Sequence, residues 1–546
     1  MSELDSSLVK QTHRWFECWP VALPGLFGFF VAMAIACTRW PVPSMHDDFG
    51  NLLVASTLLE GRLANPVPAS WQSMETFHVV FQPSYAAKFP IGLGLMLSVG
   101  KLLTGSFAAG LWLCTGLGCS AIAWMIMAHF PRRWGIAAGL FAALHPCWQN
   151  GWSQQFTNGW LAIAGIALVF GGLLRIRRYY RSEQLSGSVV LDGRLTSIVG
   201  VGCVLTLFSR PFEGGLVCGL LGLYFAPTLI ARRLAFSARF WQAAVPGSVI
   251  LAGGLFFQLI VNHSITGSFL QLPYQLHESQ YGVAPVLIWQ KPHEPSLGHR
   301  FTEQVKFHRG WSMDEFRKAA SFQGYFTLLE TRFGVLINHW GRLLAFAPIC
   351  LSVLGTERRR TFGLVGLLLV AFLVINCIPW VMPQYVSPLI PVAIFVACTV
   401  ARGIANRLAH AWRLATHYVQ IEIGLLGCIL LSQCYWTATT AYARSQFKAG
   451  WERNVSDQRA EMIVDLEAIP GADLVIVKYE PNHNVHFEWV FNEANVERSS
   501  VLWVRWGSDE MNQRVLESYP DRKIWNLEFN EAGEPSLREW IRTYAN

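Results

Sequence analysis

PIGLGLMLSVGKLLT, residues 90–104, is an apolar run of about 15 residues that carries a single charge, Lys101. Crossing the hydrocarbon core of a bilayer takes about 20 helical residues, so this run is short for a span. Eleven other apolar runs, near 20–38, 108–128, 134–149, 156–175, 195–210, 212–231, 241–262, 333–356, 361–379, 385–402 and 420–437, read as spans. Whether 90–104 joins them fixes the side of the membrane on which every later loop lies.

The basic clusters decide. If 90–104 spans, Arg132/Arg133, Arg175/Arg177/Arg178/Arg181, Arg232/Arg233 and Arg358/Arg359/Arg360 all fall outside. If it does not, each of them lands in the cytoplasm, as the positive-inside rule requires. The opposite loops, 150–155 and 380–384, then carry no Lys or Arg. We therefore read 90–104 as an interfacial or re-entrant helix. The expected plan is a cytoplasmic N-terminus, eleven spans and an extracytoplasmic C-terminus. The first span follows Lys10 and Arg14 like a signal peptide, but its apolar stretch is long, and it is read as a retained helix.

Composition agrees. The 546 residues are 52% hydrophobic and 14% charged, with 43 Lys+Arg against 36 Asp+Glu, where a soluble protein carries about 25% charge. Residues 134–174 hold no charged side chain, whereas 438–546 read as an ordinary soluble domain. Disorder, a collagen-like chain and a single water-soluble globule are excluded. The domain plan is a transmembrane unit, 1–437, followed by a small α/β domain, 438–546. In the tail, 473–479, 501–506 and 523–529 read as strands and 509–519 as a helix. All twelve Cys lie in or beside apolar segments, none in the polar stretches 39–107, 263–332 and 438–546. They read as small packing residues.

Those three polar stretches share the outer face, where chemistry is expected. The first opens SMHDDFGNLLVASTLLEGRL (44–63), with Asp47 and Asp48 directly after a span. One acidic residue suffices to start a helix; two beside a membrane cost more to keep ionised. Next comes ETFHVVFQPSYAAKFPIG (75–92), in which Lys88 leads the interfacial helix at headgroup depth, suited to an anionic group. As a lone feature it reads as a snorkelling lysine.

The order span, acidic pair, amphipathic helix, then Tyr-x-x-Lys-x-Pro before a short apolar helix resembles the GT-C class of membrane glycosyltransferases. Nearest in pattern are the protein O-mannosyltransferases and the lipid A aminoarabinose transferase. The matching positions are Asp47, Asp48, Lys88 and Pro90. Phe89 stands where many members carry a first proline, and Asn51 where many carry a tyrosine. The match covers roughly the first 130 residues best and the hydropathy plan of 1–437 more loosely.

The resemblance implies a sugar moved from a polyprenyl-phosphate donor to an acceptor hydroxyl on a lipid, glycan or protein, with inversion, in a bacterial inner membrane. Membrane lipid is the other partner, and no nucleic acid is expected. Asp47 and Asp48 are the catalytic candidates, Asp47 as base and Asp48 as its partner or a metal ligand. Lys88 and Arg210 would hold the donor phosphate. No cofactor is implied beyond a divalent metal left open at the acidic pair.

Arg210 and Glu213 lie in SRPFEGG (209–215), at membrane depth, where charges are paired or functional. A mutual ion pair pinning that hairpin stands equal to a role in the site. His78, Tyr85, Glu213, Gln384 and Tyr385 complete the candidate substrate-binding set, although Tyr385 also suits an interfacial belt. His277, His293, His299 and His308 read as solvated loop residues. His483, His486 and Glu488 have a spacing that could hold a metal, against which stand the lack of periodicity and of a fourth ligand, and Trp489, Trp503 and Trp506 read either as core or as sugar-stacking platforms. A transporter or flippase of lipid-linked sugars, a non-catalytic scaffold whose tail matters most, and a glycan polymerase or ligase using a lipid diphosphate are the rival functions.

Overall fold

The computed structural model describes residues 3–157, 159–186, 193–231, 238–340, 358–411, 417–446, 451–530 and 533–540. Among them six helices are long and apolar enough to cross a membrane: Trp19–Thr38, Ala108–Ile126, Trp160–Arg178, Phe240–Thr266, Pro383–Ala411 and Tyr418–Gln446. Leu223, Phe256 and Leu431 project outward from the bundle with most of their surface exposed, as lipid-facing side chains do. The eleven spans of the sequence plan are not all realised as such. The run 134–149 divides into Arg132–Ala143 and Pro146–Asn150. His145 precedes a proline, which pushes it to extended backbone (φ −72°, ψ 119°), and Pro146 then opens a new short helix. Much of the expected span 333–356 lies outside the described residues.

The decisive run 90–104 forms the helix Ile91–Thr104, 14 residues and about 21 Å long. Gly105, at φ +79°, ends it, its N–H donating a hydrogen bond to the Lys101 carbonyl (2.8 Å). It lies between the helices His46–Leu59 and Ala108–Ile126. The approach is close: a Cβ on Gly94 would stand 2.3 Å from Val54 Cγ1, and one on Gly100 would stand 2.2 Å from the Gly110 nitrogen. Leu102 and Leu103 at its far end face outward.

Ahead of that helix, strands β1 (Val79–Val80) and β2 (Ala86–Ala87) form an antiparallel hairpin with Val79 opposite Ala87. The Lys88 amide donates to the His78 carbonyl (3.0 Å) and extends the pairing. His78 and Lys88 therefore stand side by side at the open end of the hairpin.

The tail begins with the helix Trp451–Glu467 and builds a four-stranded sheet of order β4-β3-β5-β6. β3 (Asp473–Lys478) pairs in parallel with β4 (Val501–Arg505) and with β5 (Lys523–Phe529); β6 (Pro535–Glu539) is antiparallel to β5. Leu474–Val477 is a continuous buried run, as a strand covered on both faces requires. Strand β6 had no sequence signal: Pro-Ser-Leu-Arg-Glu lacks β-branched residues. Trp489 and Trp503 are buried in this domain's core, so of their two readings they take the structural one.

Arg505 fastens the tail to both loops. It is buried and pairs with Glu488, stands 3.5 Å from Glu303, and donates its Nε to the Glu75 carbonyl (2.8 Å). Glu75 in turn accepts from Arg300 (2.7 Å) and Tyr281 Oη (2.8 Å).

Candidate active site

The acidic pair divides. Both carboxylates sit in the first turn of His46–Leu59, where the helix dipole favours them. Asp48 turns back onto the chain that enters the helix: its Oδ2 accepts from the amides of Ser44 (2.9 Å) and Met45 (3.3 Å) and from Ser44 Oγ (3.2 Å). It is buried and does not line the cavity described below. Burial raises its carboxyl to about 6 despite those amides. Asp48→Asn, which keeps an acceptor oxygen, should fold and work nearly as well as wild type. Asp48→Ala should cost about 1 kcal/mol of stability, read by thermal unfolding.

Asp47 faces a cavity of about 100 Å³. Four parts of the chain meet there: the first loop, the second loop, the turn before the helix at 390, and the tail. His78 Nε2 lies 3.3 Å from Asp47 Oδ1. His78 holds left-handed backbone (φ +64°), strain of order 1–3 kcal/mol in a residue without glycine's freedom. Burial raises the Asp47 carboxyl above its ordinary value, and the cations Lys88 and Arg210 draw part of that back. A carboxylate so tuned is a better proton acceptor than one in water.

Lys88 also lines the cavity. Its ammonium donates to Glu278 Oε1 (2.9 Å) and lies 4.5 Å from the centre of the Tyr274 ring. Burial pushes Glu278 upward, but Lys88 and His277 outweigh it and hold the carboxyl well below the usual range. One of the three ammonium hydrogens is thus engaged, and two can serve a ligand.

Tyr385 completes the wall, with the Arg210 guanidinium 4.6 Å from its ring centre. Arg210 itself does not line the cavity, and Glu213 is buried outside it. The Arg210–Glu213 ion pair weighed from the sequence is not formed: both side chains are described and no contact within 4.0 Å joins them. Gln384 is absent from the cavity and its carbonyl accepts from Ser387 Oγ (2.7 Å). Tyr85 is buried elsewhere, and its hydroxyl donates to the Asn492 carbonyl (2.8 Å), joining the hairpin to the tail.

The second loop departs most from its sequence reading. His277 and His308 are buried, not solvated, and His299 is half-buried; His293 alone of the four is exposed. Burial lowers His277 to about 4 and His308 well below its ordinary value, so both are neutral. A π-helical turn, Lys306–Trp311, brings Phe307, His308 and Trp311 to the cavity. The tail adds His486, whose ring stacks 5.9 Å from His46, and the Val485 carbonyl, 2.8 Å from His46 Nε2. Glu278, Tyr274, Trp311 and His486 were not singled out as site residues from the sequence. The string LPYQLHESQYG held a signal for the first two: a carboxylate beside a histidine in a loop facing the membrane.

The residues present do not fit a metal. Among the described residues no three His, Cys, Asp or Glu side chains are grouped to hold one. Asp48, the ligand envisaged, is occupied by backbone amides, and Glu488 is committed to Arg505 while His483 bonds the Phe487 carbonyl.

Solved structures share this fold, among them the following two. An apo oligosaccharyltransferase of Archaeoglobus fulgidus aligns over 97% of this chain and 75% of its own, at 11% identity and TM-score 0.50. ArnT of Cupriavidus metallidurans bound to undecaprenyl phosphate aligns over 94% of this chain and 93% of its own, at 14% identity and TM-score 0.51. The chain has the GT-C fold. It is accordingly a multi-pass membrane protein. No family model and no curated protein sequence matches it.

Proposed function

We propose that this GT-C chain transfers a glycosyl group from a polyprenyl-phosphate donor to an acceptor hydroxyl, on the extracytoplasmic side of the membrane. The observation that carries the reading is the convergence of Asp47 and Lys88, 41 residues apart, on one cavity roofed by loops and tail. ArnT, which shares the fold, was solved with undecaprenyl phosphate bound. In the proposed step the acceptor oxygen attacks the anomeric carbon and gives its proton to the Asp47 carboxylate. The bond to the phosphate breaks, its electron pair leaving with the phosphate oxygen toward Lys88. A phosphate is a good leaving group, so no general acid is needed, and one base with one cation suffices. His78 Nε2, 3.3 Å from Asp47 Oδ1, stands beside the carboxylate. Arg210 contributes its field from behind Tyr385 in place of a direct contact.

Transfer by the purified full-length protein from a polyprenyl-phosphate sugar tests the reading. Lys88→Met removes a charged hydrogen bond of roughly 1.5–3 kcal/mol, so donor KM should rise about 10- to 100-fold. The same change removes a cation that lowers the Asp47 pKa. The acid limb of kcat/KM should therefore move to higher pH. An unaltered KM and pH profile would sink the phosphate assignment.

A further inference from the structure

A second cavity, of about 290 Å³, opens between the helices far from the loops. Trp160–Ser186 gives the distance: Gly159 packs against Ser387, next to the first site, and Arg177 lies 18 residues on, about 27 Å along the axis. The two cavities share no lining residue. The walls of the second are apolar (Phe170, Leu174, Leu364, Phe395), and its polar lining includes Arg177, Arg178 and Arg360.

The positive-inside rule accounts for arginines at this end of the spans. It does not account for three of them meeting at one apolar-walled hollow, where like charges repel. Their neighbours have partners: Arg133 and Arg402 share Glu422. Arg175 donates to the carbonyls of Gly171 (3.1 Å) and Trp124 (2.7 Å). Arg177 differs. Its Nε is buried with no hydrogen-bond partner, and its guanidinium lies 5.8 Å from the centre of the Phe225 ring. Among the described residues neither Arg177 nor Arg178 has a carboxylate partner. A buried unpaired donor is costly, and a guanidinium fork matches a phosphate. Basic pockets between transmembrane helices are a known mode of lipid headgroup recognition.

We infer that this cavity binds a phosphate group, with Arg177, Arg178 and Arg360 as counter-charges and the apolar walls accepting any attached chain. The phosphate belongs either to an anionic lipid headgroup or to a soluble phosphate, and the test separates them. Full-length protein in neutral detergent is incubated with phosphatidylglycerol or phosphatidylcholine and bound lipid is counted by native mass spectrometry. In parallel, thermal unfolding is followed with inorganic phosphate against chloride at equal ionic strength. One phosphatidylglycerol should be retained at least fivefold over phosphatidylcholine and be lost from Arg177→Gln/Arg360→Gln. Stabilisation by inorganic phosphate, lost in the same variant, would assign the site to a soluble phosphate. If the double variant does not fold, Arg178→Gln, at the exposed mouth, must weaken retention, and Arg177→Lys must preserve part of it. The inference fails if neither ligand binds, if these variants bind like wild type, or if Arg359→Gln, an exposed neighbour, loses as much.

Discussion

Asp47→Asn should lower kcat for glycosyl transfer by roughly 10²- to 10⁴-fold, the range for removal of a general base, while leaving folding intact. The carboxylate is half-exposed to the cavity and makes no bond that holds the fold beyond its contact with His78, so thermal unfolding should change little. Asparagine keeps the shape but cannot take a proton. Because burial raises the Asp47 carboxyl, the base of the wild-type enzyme is lost as pH falls through a value above the ordinary carboxylate range. Wild-type kcat/KM should drop on that acid limb, and the residual rate of Asp47→Asn should lack it. The neighbour supplies the control: Asp48→Asn should retain near-normal turnover, because Asp48 serves the helix start. If the two substitutions behave alike, the division of the pair is wrong.

Arg505→Ala should destabilise the docked tail by about 3–5 kcal/mol, the cost of breaking a buried ion pair from one side. Arg505 and Glu488 are both almost wholly buried, with side-chain exposure of 1% each. Truncation leaves Glu488 without its cation and deprives the Glu75 carbonyl of its donor. Removing the stranded charge as well, in Arg505→Ala/Glu488→Gln, should recover part of the loss. Denaturant unfolding followed by fluorescence of the core residues Trp489 and Trp503 measures both. Transfer activity should fall with docking, since His486 lines the site and the Val485 carbonyl bonds the lining residue His46. A tail that unfolds independently while activity persists would remove it from the site.

Much of the fold could be read from hydropathy. The run 90–104, short for a span, forms a helix of 14 residues, and three strands of the tail followed from their apolar runs. What could not be read has a common physical cause. Pro146 broke an apolar run that hydropathy alone treats as continuous, because hydropathy is blind to backbone dihedrals. Glu278 stands 190 residues from Lys88, and Arg505 some 430 from Glu75. Pairings at that separation leave no local pattern. Histidines in a polar loop look solvated until the first loop packs against them, as Phe77 and His78 do against His308 and His277. Asp47 and Asp48 were indistinguishable as letters; a turn of about 100° along the helix sends one to the cavity and the other to the backbone.

The most direct test of the central assignment is a structure of the full-length protein with undecaprenyl phosphate added. The expected result is the phosphate within hydrogen-bond distance of Lys88 Nζ, with Asp47 facing the space beside it where an anomeric carbon would sit. A phosphate bound on the loop side but out of reach of Lys88, with Asp47 closed off from it, would contradict the account.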